Sequence, residues 1–175
     1  MPTPGTFRHS DYERGRYQAL VEAIGDRQYA AAFEPGCANG ELTAMLAPLC
    51  DAIEAIDCSP AAVDIARGRC RTLPGVEIWP GALPDDLPGR SYDLIVFSEI
   101  GYYFDSDDLG RLIRQLWSRL VPGGRLIACH WLGHSEDHRL HGQEVAAIMA
   151  DTLPVSEDFH ARHPGFLLQR WSKPE

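Results

Sequence analysis

Apolar residues recur along the chain in two rhythms, short continuous runs and stripes at helical spacing, and the two alternate almost to the end. Tyr17, Leu20, Val21 and Ile24 fall on one stripe and predict a helix over residues 10–25, with Ser10 as its capping residue. Residues 30–34 predict a strand, followed by the glycine-containing stretch FEPGCANGELT at 33–43 and a second stripe of Leu42, Met45, Leu46 and Leu49. Residues 52–57 predict the next strand. Ser59-Pro60 then opens a helix that runs toward Arg71, the serine offering a capping hydroxyl and the proline a ring at the first helical position. A third short strand is predicted over 76–79, and PGALPDDLPGRS after it reads as loop. Tyr92–Ser98, with LIVF at its centre, predicts a strand buried on both faces.

In DSDDLGRLIRQLWSRLVPGG, the residues Leu109, Leu112, Ile113, Leu116 and Leu120 mark a helix that stops at Pro122-Gly123-Gly124. Residues 125–130 predict a fifth strand and 142–153 a helix, while 155–160 and 166–171 flank His163-Pro164-Gly165 as a hairpin. Strand and helix in alternation imply a parallel sheet covered on both faces. The fold class is therefore α/β: a three-layer, doubly wound, mostly parallel seven-stranded sheet with an antiparallel C-terminal hairpin. At 175 residues with 45% hydrophobic content, a single domain over 1–175 with one core accounts for the chain.

Charge and cysteines narrow the function. The net charge is −9 and the basic residues are scattered, so the phosphate-neutralising patch that nucleic acid requires is missing and no nucleic-acid partner is expected. Five cysteines, at 37, 50, 58, 70 and 129, form no C-x-x-C pair, which argues against a disulfide framework and a zinc ribbon and for reduced thiols in the cytoplasm. No apolar run reaches bilayer-spanning length and the first residues lack an apolar signal core, so no membrane association is expected.

In doubly wound sheets ligands bind beyond the carboxyl ends of the strands, which makes the residues just after each strand the informative ones. After the first strand a dinucleotide loop would need G-x-G-x-x-G; counted from Gly36, the matching positions hold Ala38 and Glu41, which disfavours a nicotinamide-dependent oxidoreductase. The pattern present is acid-x-G-x-x-x-G, from Glu34 through Gly36 to Gly40: small residues admit a ligand close to the backbone, and the acid is placed to hold a cationic head. S-adenosylmethionine has such a head, and Asp57, at the end of the second strand, is placed to accept hydrogen bonds from ribose hydroxyls. Glycines that merely close a turn remain the other reading of the loop, and a cofactor-binding module without catalysis the other reading of the chain.

The stretches YERGRYQAL, FEPGCANGELTAMLAPLCDAIEAIDCSP, YDLIVFSEIGYYF, DLGRLI, LVPGGRLIACHW and LHGQEV resemble, in the same order, the class I S-adenosylmethionine-dependent methyltransferases. Among these they resemble the nodulation protein S (NodS) type, N-methyltransferases acting on the free amine of a de-acetylated chitooligosaccharide. Two positions depart from the general pattern: Ala38 stands in place of the middle glycine of the loop, and Gly81-Ala82 in place of the acid after the third strand.

The resemblance implies S-adenosylmethionine as cofactor and a small-molecule acceptor, with residues 1–28 as a helical cap over the cofactor. It places Glu34, Gly36, Ala38 and Gly40 around the methionine moiety, Asp57 on the ribose, Cys58 and Ala82 along the adenine with Gly81 and Leu83 beside it, and Ser98 beside the sulfur; Cys37 sits in the cofactor loop, where a small buried side chain is the favoured reading. Tyr12 and Arg16 resemble residues that fold over the cofactor, Arg16 toward its carboxylate; a solvated helix face is the other reading of both. An alkyl amine is protonated in neutral water, so a site that methylates it must bind it neutral or take its proton. Glu99, after the fourth strand, is expected to attract the ammonium and accept or relay the proton, Tyr102 or Tyr103 to accept a hydrogen bond from the amine, and His130 to be a second candidate base. A hydroxyl acceptor is the alternative chemistry. Histidines 130, 134, 138 and 141 lack a carboxylate or cysteine at ligand spacing, so no metal is expected and their loop is read as the roof of the acceptor pocket.

Overall fold

Residues 32–35, 53–57 and 92–98 form strands in which nearly every position is buried, as a sheet covered by helices on both faces demands. The computed structural model describes residues 4–175, with side chains described from Asp11 onward. In chain order these are α1 (Pro4–Ala23), β1 (Ala32–Pro35), α2 (Glu41–Leu46), β2 (Ile53–Asp57), α3 (Pro60–Cys70), β3 (Val76–Pro80), β4 (Tyr92–Ser98), α4 (Ser106–Arg119), β5 (Leu120–Trp131), α5 (Gly142–Thr152), β6 (Phe159–His163) and β7 (Phe166–Ser172). The seven strands lie in the order β3-β2-β1-β4-β5-β7-β6; β7 runs antiparallel to both neighbours and the other pairings are parallel. Strand order reverses between β1 and β4, which opens a crevice above their carboxyl ends.

The pleat divides the core. Ile95 and Phe97 of β4 pack with Leu112 and Leu116 of α4 and Met149 of α5, whereas Leu94 and Val96 face Leu20 and Ile24 at the α1 end and Leu46 of α2. The α3 start follows its sequence signal, with the Ser59 hydroxyl accepting from the Ala62 N–H and Pro60 opening the helix.

Several boundaries differ from the sequence reading. Helix α1 begins at Pro4, which puts Ser10 inside it; the predicted Ser10 cap lies outside the described side chains. The second stripe breaks after Leu46, because Pro48 converts Ala47–Leu49 into a 3-10 turn. Helix α4 ends at Arg119, and Leu120 already pairs with Tyr92. Pro122-Gly123-Gly124 lies inside β5, absorbed where the register shifts between Tyr92 and Leu94. The hairpin keeps its turn at Pro164-Gly165, with Gly165 at φ 90°, but its first strand starts at Phe159. Among the described residues no helix is long and apolar enough to cross a membrane, and no group of three or more His, Cys, Asp or Glu is arranged to hold a metal ion.

Candidate active site

The loops that leave β1 to β5 meet α1 around a cavity of about 1200 Å³ at the strand-order reversal. Pockets for one drug-sized ligand run from about 300 to 1,000 Å³, so this space admits a nucleoside cofactor and an acceptor together.

At the β1 end the backbone turns sharply. Gly36 adopts φ +74°, and a Cβ there would lie 2.4 Å from the Ile100 Cγ2, so only glycine fits. Ala38 is also left-handed, at φ 48°, and its N–H donates to Asp57 Oδ2 at 2.9 Å, while the Ser59 N–H donates to Oδ1 at 2.9 Å. The aspartate thus ties two loops together and is held facing the cavity that it lines. Glu34 is 3% exposed and accepts from the Thr43 hydroxyl at 2.6 Å. Burial, opposed by that hydrogen bond, pushes its pKa up to about 8. A buried acid of this kind, poised at the floor of a cavity, suits a cationic ligand group whose arrival would ionise it. Cys37 lines the same floor and burial pushes its thiol up to about 12, which keeps it inert.

Gly40 is corrected. It lies at the start of α2 with φ 77°, and a Cβ would meet Ala66 of α3 at 2.8 Å, so its small size serves the α2–α3 contact and it does not line the cavity. Gly81, Ala82, Leu83 and Cys58, read from the sequence as the adenine wall, all line the cavity. The loop at 81–86 is fastened by two bonds, from the Gly81 N–H to the Asp57 carbonyl at 3.0 Å and from the Ala82 N–H to Asp86 Oδ2 at 2.8 Å. Asp86 is an anchor that the sequence reading missed; the acidic pair in PGALPDDLPG was its available signal.

At the β4 end, Ser98 and Glu99 line the cavity. Glu99 has φ 62°, a strained conformation for a residue with a side chain. Its Oε1 accepts from the Trp131 N–H at 2.6 Å and its Oε2 pairs with Arg16 NH1 at 2.9 Å. Arg16 is 6% exposed, which rules out the solvated face, and its Nε is buried without a partner among the described residues. The cation expected to reach the cofactor's carboxylate is thus paired with Glu99, with Glu13 Oε1 3.9 Å from its NH2. Tyr12 also lines the cavity, packing edge-on against Phe166 at 6.1 Å. Glu13 and Tyr17 join it there; the spacing of Glu13 three residues from Arg16 and four from Tyr17 was the signal that could have found them.

Tyr102 lines the cavity from a 3-10 turn at Gly101–Tyr103, and its hydroxyl accepts from the Trp131 N–H at 2.7 Å. Burial first and Glu99 second push its phenol far above the ordinary range, so it stays protonated. His130 is corrected: it is 2% exposed, does not line the cavity, and its Nε2 accepts from the Gly101 N–H at 3.2 Å. Burial, then Arg16, lowers its pKa to about 3. It is a neutral structural acceptor that shapes the turn carrying Tyr102. The loop 132–141 does roof the cavity, contributing His134, Ser135 and His138, and is stapled by the Arg139 and Leu140 N–H groups to the Tyr102 carbonyl at 2.7 and 3.2 Å.

The family model of nodulation protein S (NodS) matches residues 2–153. The chain belongs to the NodS family. Nodulation protein S of Bradyrhizobium diazoefficiens is 31% identical over 166 residues, an alignment covering 90% of this chain and 78% of that protein. A Pseudomonas syringae structure assigned as a methyltransferase superposes with a TM-score of 0.82 at 41% identity, covering 93% of this chain and 99% of that one. The N-methyltransferase NodS of Bradyrhizobium japonicum WM9, solved in complex with S-adenosyl-L-homocysteine, superposes with a TM-score of 0.82 at 25% identity, covering 94% and 88%. This NodS-family chain is an S-adenosylmethionine-dependent methyltransferase. The strands β6 and β7 lie beyond the segment that the family model matches, yet within the sheet.

Proposed function

We propose that the enzyme transfers the methyl group to the nitrogen of a small-molecule amine of amino-sugar type. S-adenosylmethionine, when bound, supplies an electrophilic methyl on a sulfonium sulfur. Glu34 and the Gly36–Ala38 backbone would hold its methionine part, Asp57 its ribose, Gly81–Leu83 and Cys58 its adenine, and Arg16 its carboxylate. In this reading α1, whose Tyr12, Arg16 and Tyr17 line the cavity, is the cover over the cofactor.

The observation that carries the amine assignment is the acceptor end itself. Glu99 stands there as a carboxylate among the rings of Tyr102, Tyr103 and Trp131, and Arg16, the one arginine or lysine lining the cavity among the described residues, is already paired with it. Such a wall attracts an ammonium through its carboxylate and ring faces, and its guanidinium is already neutralised toward an anionic acceptor. Displacement at the methyl rests on alignment and desolvation of the reacting groups. Nodulation protein S relatives, one of them solved as an N-methyltransferase, point the same way. The test is methyl transfer from S-adenosylmethionine to glucosamine, benzylamine and catechol, with products read by mass spectrometry. Methylated amines and unmodified catechol are expected, and Glu99→Gln should lower kcat/KM for amines by about 10-fold or more. Methylation of catechol alone would assign the enzyme to hydroxyl acceptors.

A further inference from the structure

The acceptor end of the cavity holds several groups that take protons in water, and the structure disqualifies most of them. Both Glu99 oxygens are engaged, one by Arg16 and one by the Trp131 N–H. Tyr102 holds its phenol proton, and His130 is sealed beneath the Gly101 turn. His134 lines the cavity but stands exposed to bulk water. His138 is different. It lines the cavity from the roof loop, half-buried, with its imidazole flat on the Tyr102 ring at 4.1 Å between centroids and 6° between planes. The rings of Tyr103 and Trp131 meet it edge-on at 5.3 and 6.2 Å. Three aromatic contacts therefore fix the ring plane, while its nitrogens make no hydrogen bond among the described residues.

We propose that His138 is the catalytic base, an imidazole nitrogen taking the proton of the acceptor ammonium before the methyl is transferred. The proton passes from nitrogen to His138 and then to solvent at the cavity mouth. The freed lone pair forms the N–CH3 bond as the S–CH3 bond breaks, and the sulfur keeps the bonding pair as a neutral thioether. The inference rests on the amine reading above. Geometry favours it because protonation places an imidazolium face-on against the electron-rich Tyr102 ring, an arrangement that stabilises the cation. The other titratable groups lining this end are Tyr102 stacked on the ring, Tyr103 edge-on to it, Glu99, His134 on the same loop, and Tyr12, Glu13, Arg16 and Tyr17 on α1. On its own loop Asp137 and Arg139 are the adjacent charges. Of these, Arg16 is buried and charged, and two half-buried carboxylates face it, Glu99 at 2.9 Å and Glu13 at 3.9 Å.

The decisive experiment combines kinetics with an NMR titration of the His138 ring, using glucosamine and benzylamine as acceptors. In the wild type, the acid limb of kcat/KM should coincide with the His138 titration, and the ring resonances should shift when glucosamine is added without cofactor. His138→Phe, which keeps a flat ring on Tyr102, and His138→Gln should each lose about 100-fold in kcat/KM for the more basic benzylamine at pH 7, the scale of a general base, and less for glucosamine. That loss should shrink toward the amine's own pKa, where the acceptor arrives neutral. Variants that keep the wild-type rate, or lose the same factor at every pH, overturn the proposal; so does a wild-type acid limb displaced from the His138 titration, a readout that needs no variant to fold. Wild-type enzyme that methylates catechol and no amine would instead remove the amine reading on which the proposal stands.

Discussion

Among single residues, Glu34 carries the sharpest expectation. Burial raises its pKa from 4.5 to about 8, so between those values the folded protein retains a proton that the unfolded chain releases. By linkage, the stability contributed by this group is full below about pH 4.5 and declines until pH passes about 8. Cofactor binding runs the opposite way, since a cationic ammonium wants the ionised carboxylate. Calorimetry with S-adenosylhomocysteine should show affinity rising by up to about tenfold per pH unit below pH 8 and levelling above it. Glu34→Gln should bind weakly with no such slope, and a flat wild-type profile would show that Glu34 is already ionised in the free enzyme. Glu34, Gly36 and Asp57 are legible in the sequence because each stands at the end of a strand on the cavity side. His130 ends a strand too, yet its ring turns inward to accept the Gly101 N–H, and the direction of a side chain at a strand end is set by a neighbouring turn that no spacing reveals. The pairing of Arg16 with Glu99 was hidden for a related reason: its partners are 83 residues apart, as 99 minus 16 gives.

Secondary-structure elements respond to substitution through their glycines, and two of these make a matched pair. Gly40 adopts φ +77° against Ala66, whereas Gly68, exposed inside α3, leaves open space around the point where a Cβ would stand, with nothing within 4 Å. Gly40→Ala should therefore destabilise by about 1–3 kcal/mol, and Gly68→Ala should stabilise by about 0.5–1 kcal/mol through helix propensity alone. Urea unfolding of the two variants checks both signs. The order of strands and helices is legible because period-2 and period-3.6 burial leave separate marks. Element ends are less so. Pro122-Gly123-Gly124 reads as a helix stop, and the helix does stop just before it, but the segment continues as strand: Gly123 and Gly124 exchange backbone bonds with Lys173 at 2.9 and 2.8 Å. Such pairing depends on a partner that arrives only at the end of the chain.

For the molecule as a whole, the placing of α1 decides whether the cavity has its fourth wall. Arg125 of β5 donates to the Ile24 carbonyl at 2.6 Å, and Arg170 of β7 donates to the Ala23 carbonyl at 2.6 Å. Two cations at the end of α1 satisfy carbonyls that the helix leaves open, and they favour its negative pole. Replacing either with alanine should lower stability by about 1–3 kcal/mol. The Arg125→Ala, Arg170→Ala double variant should speed amide hydrogen exchange in α1 while leaving β4 protected, and should weaken S-adenosylhomocysteine binding. Unchanged exchange in α1 would show that packing of Leu20 and Ile24 alone holds the helix. This clamp is not legible from periodicity, because its two arginines come from β5 and β7, far from α1 in sequence.

The staple of the roof loop to the Tyr102 carbonyl has an evolutionary consequence. The groups proposed to grip a nucleoside stand at strand ends, whereas part of what faces the acceptor lies in the span from Trp131 to Gly142, held by the staple rather than by a sheet ladder. Residues can be inserted, deleted or exchanged within that span without disturbing a single ladder bond. Descendants of such a chain can thus diverge in what they modify while inheriting one unchanged means of modifying it.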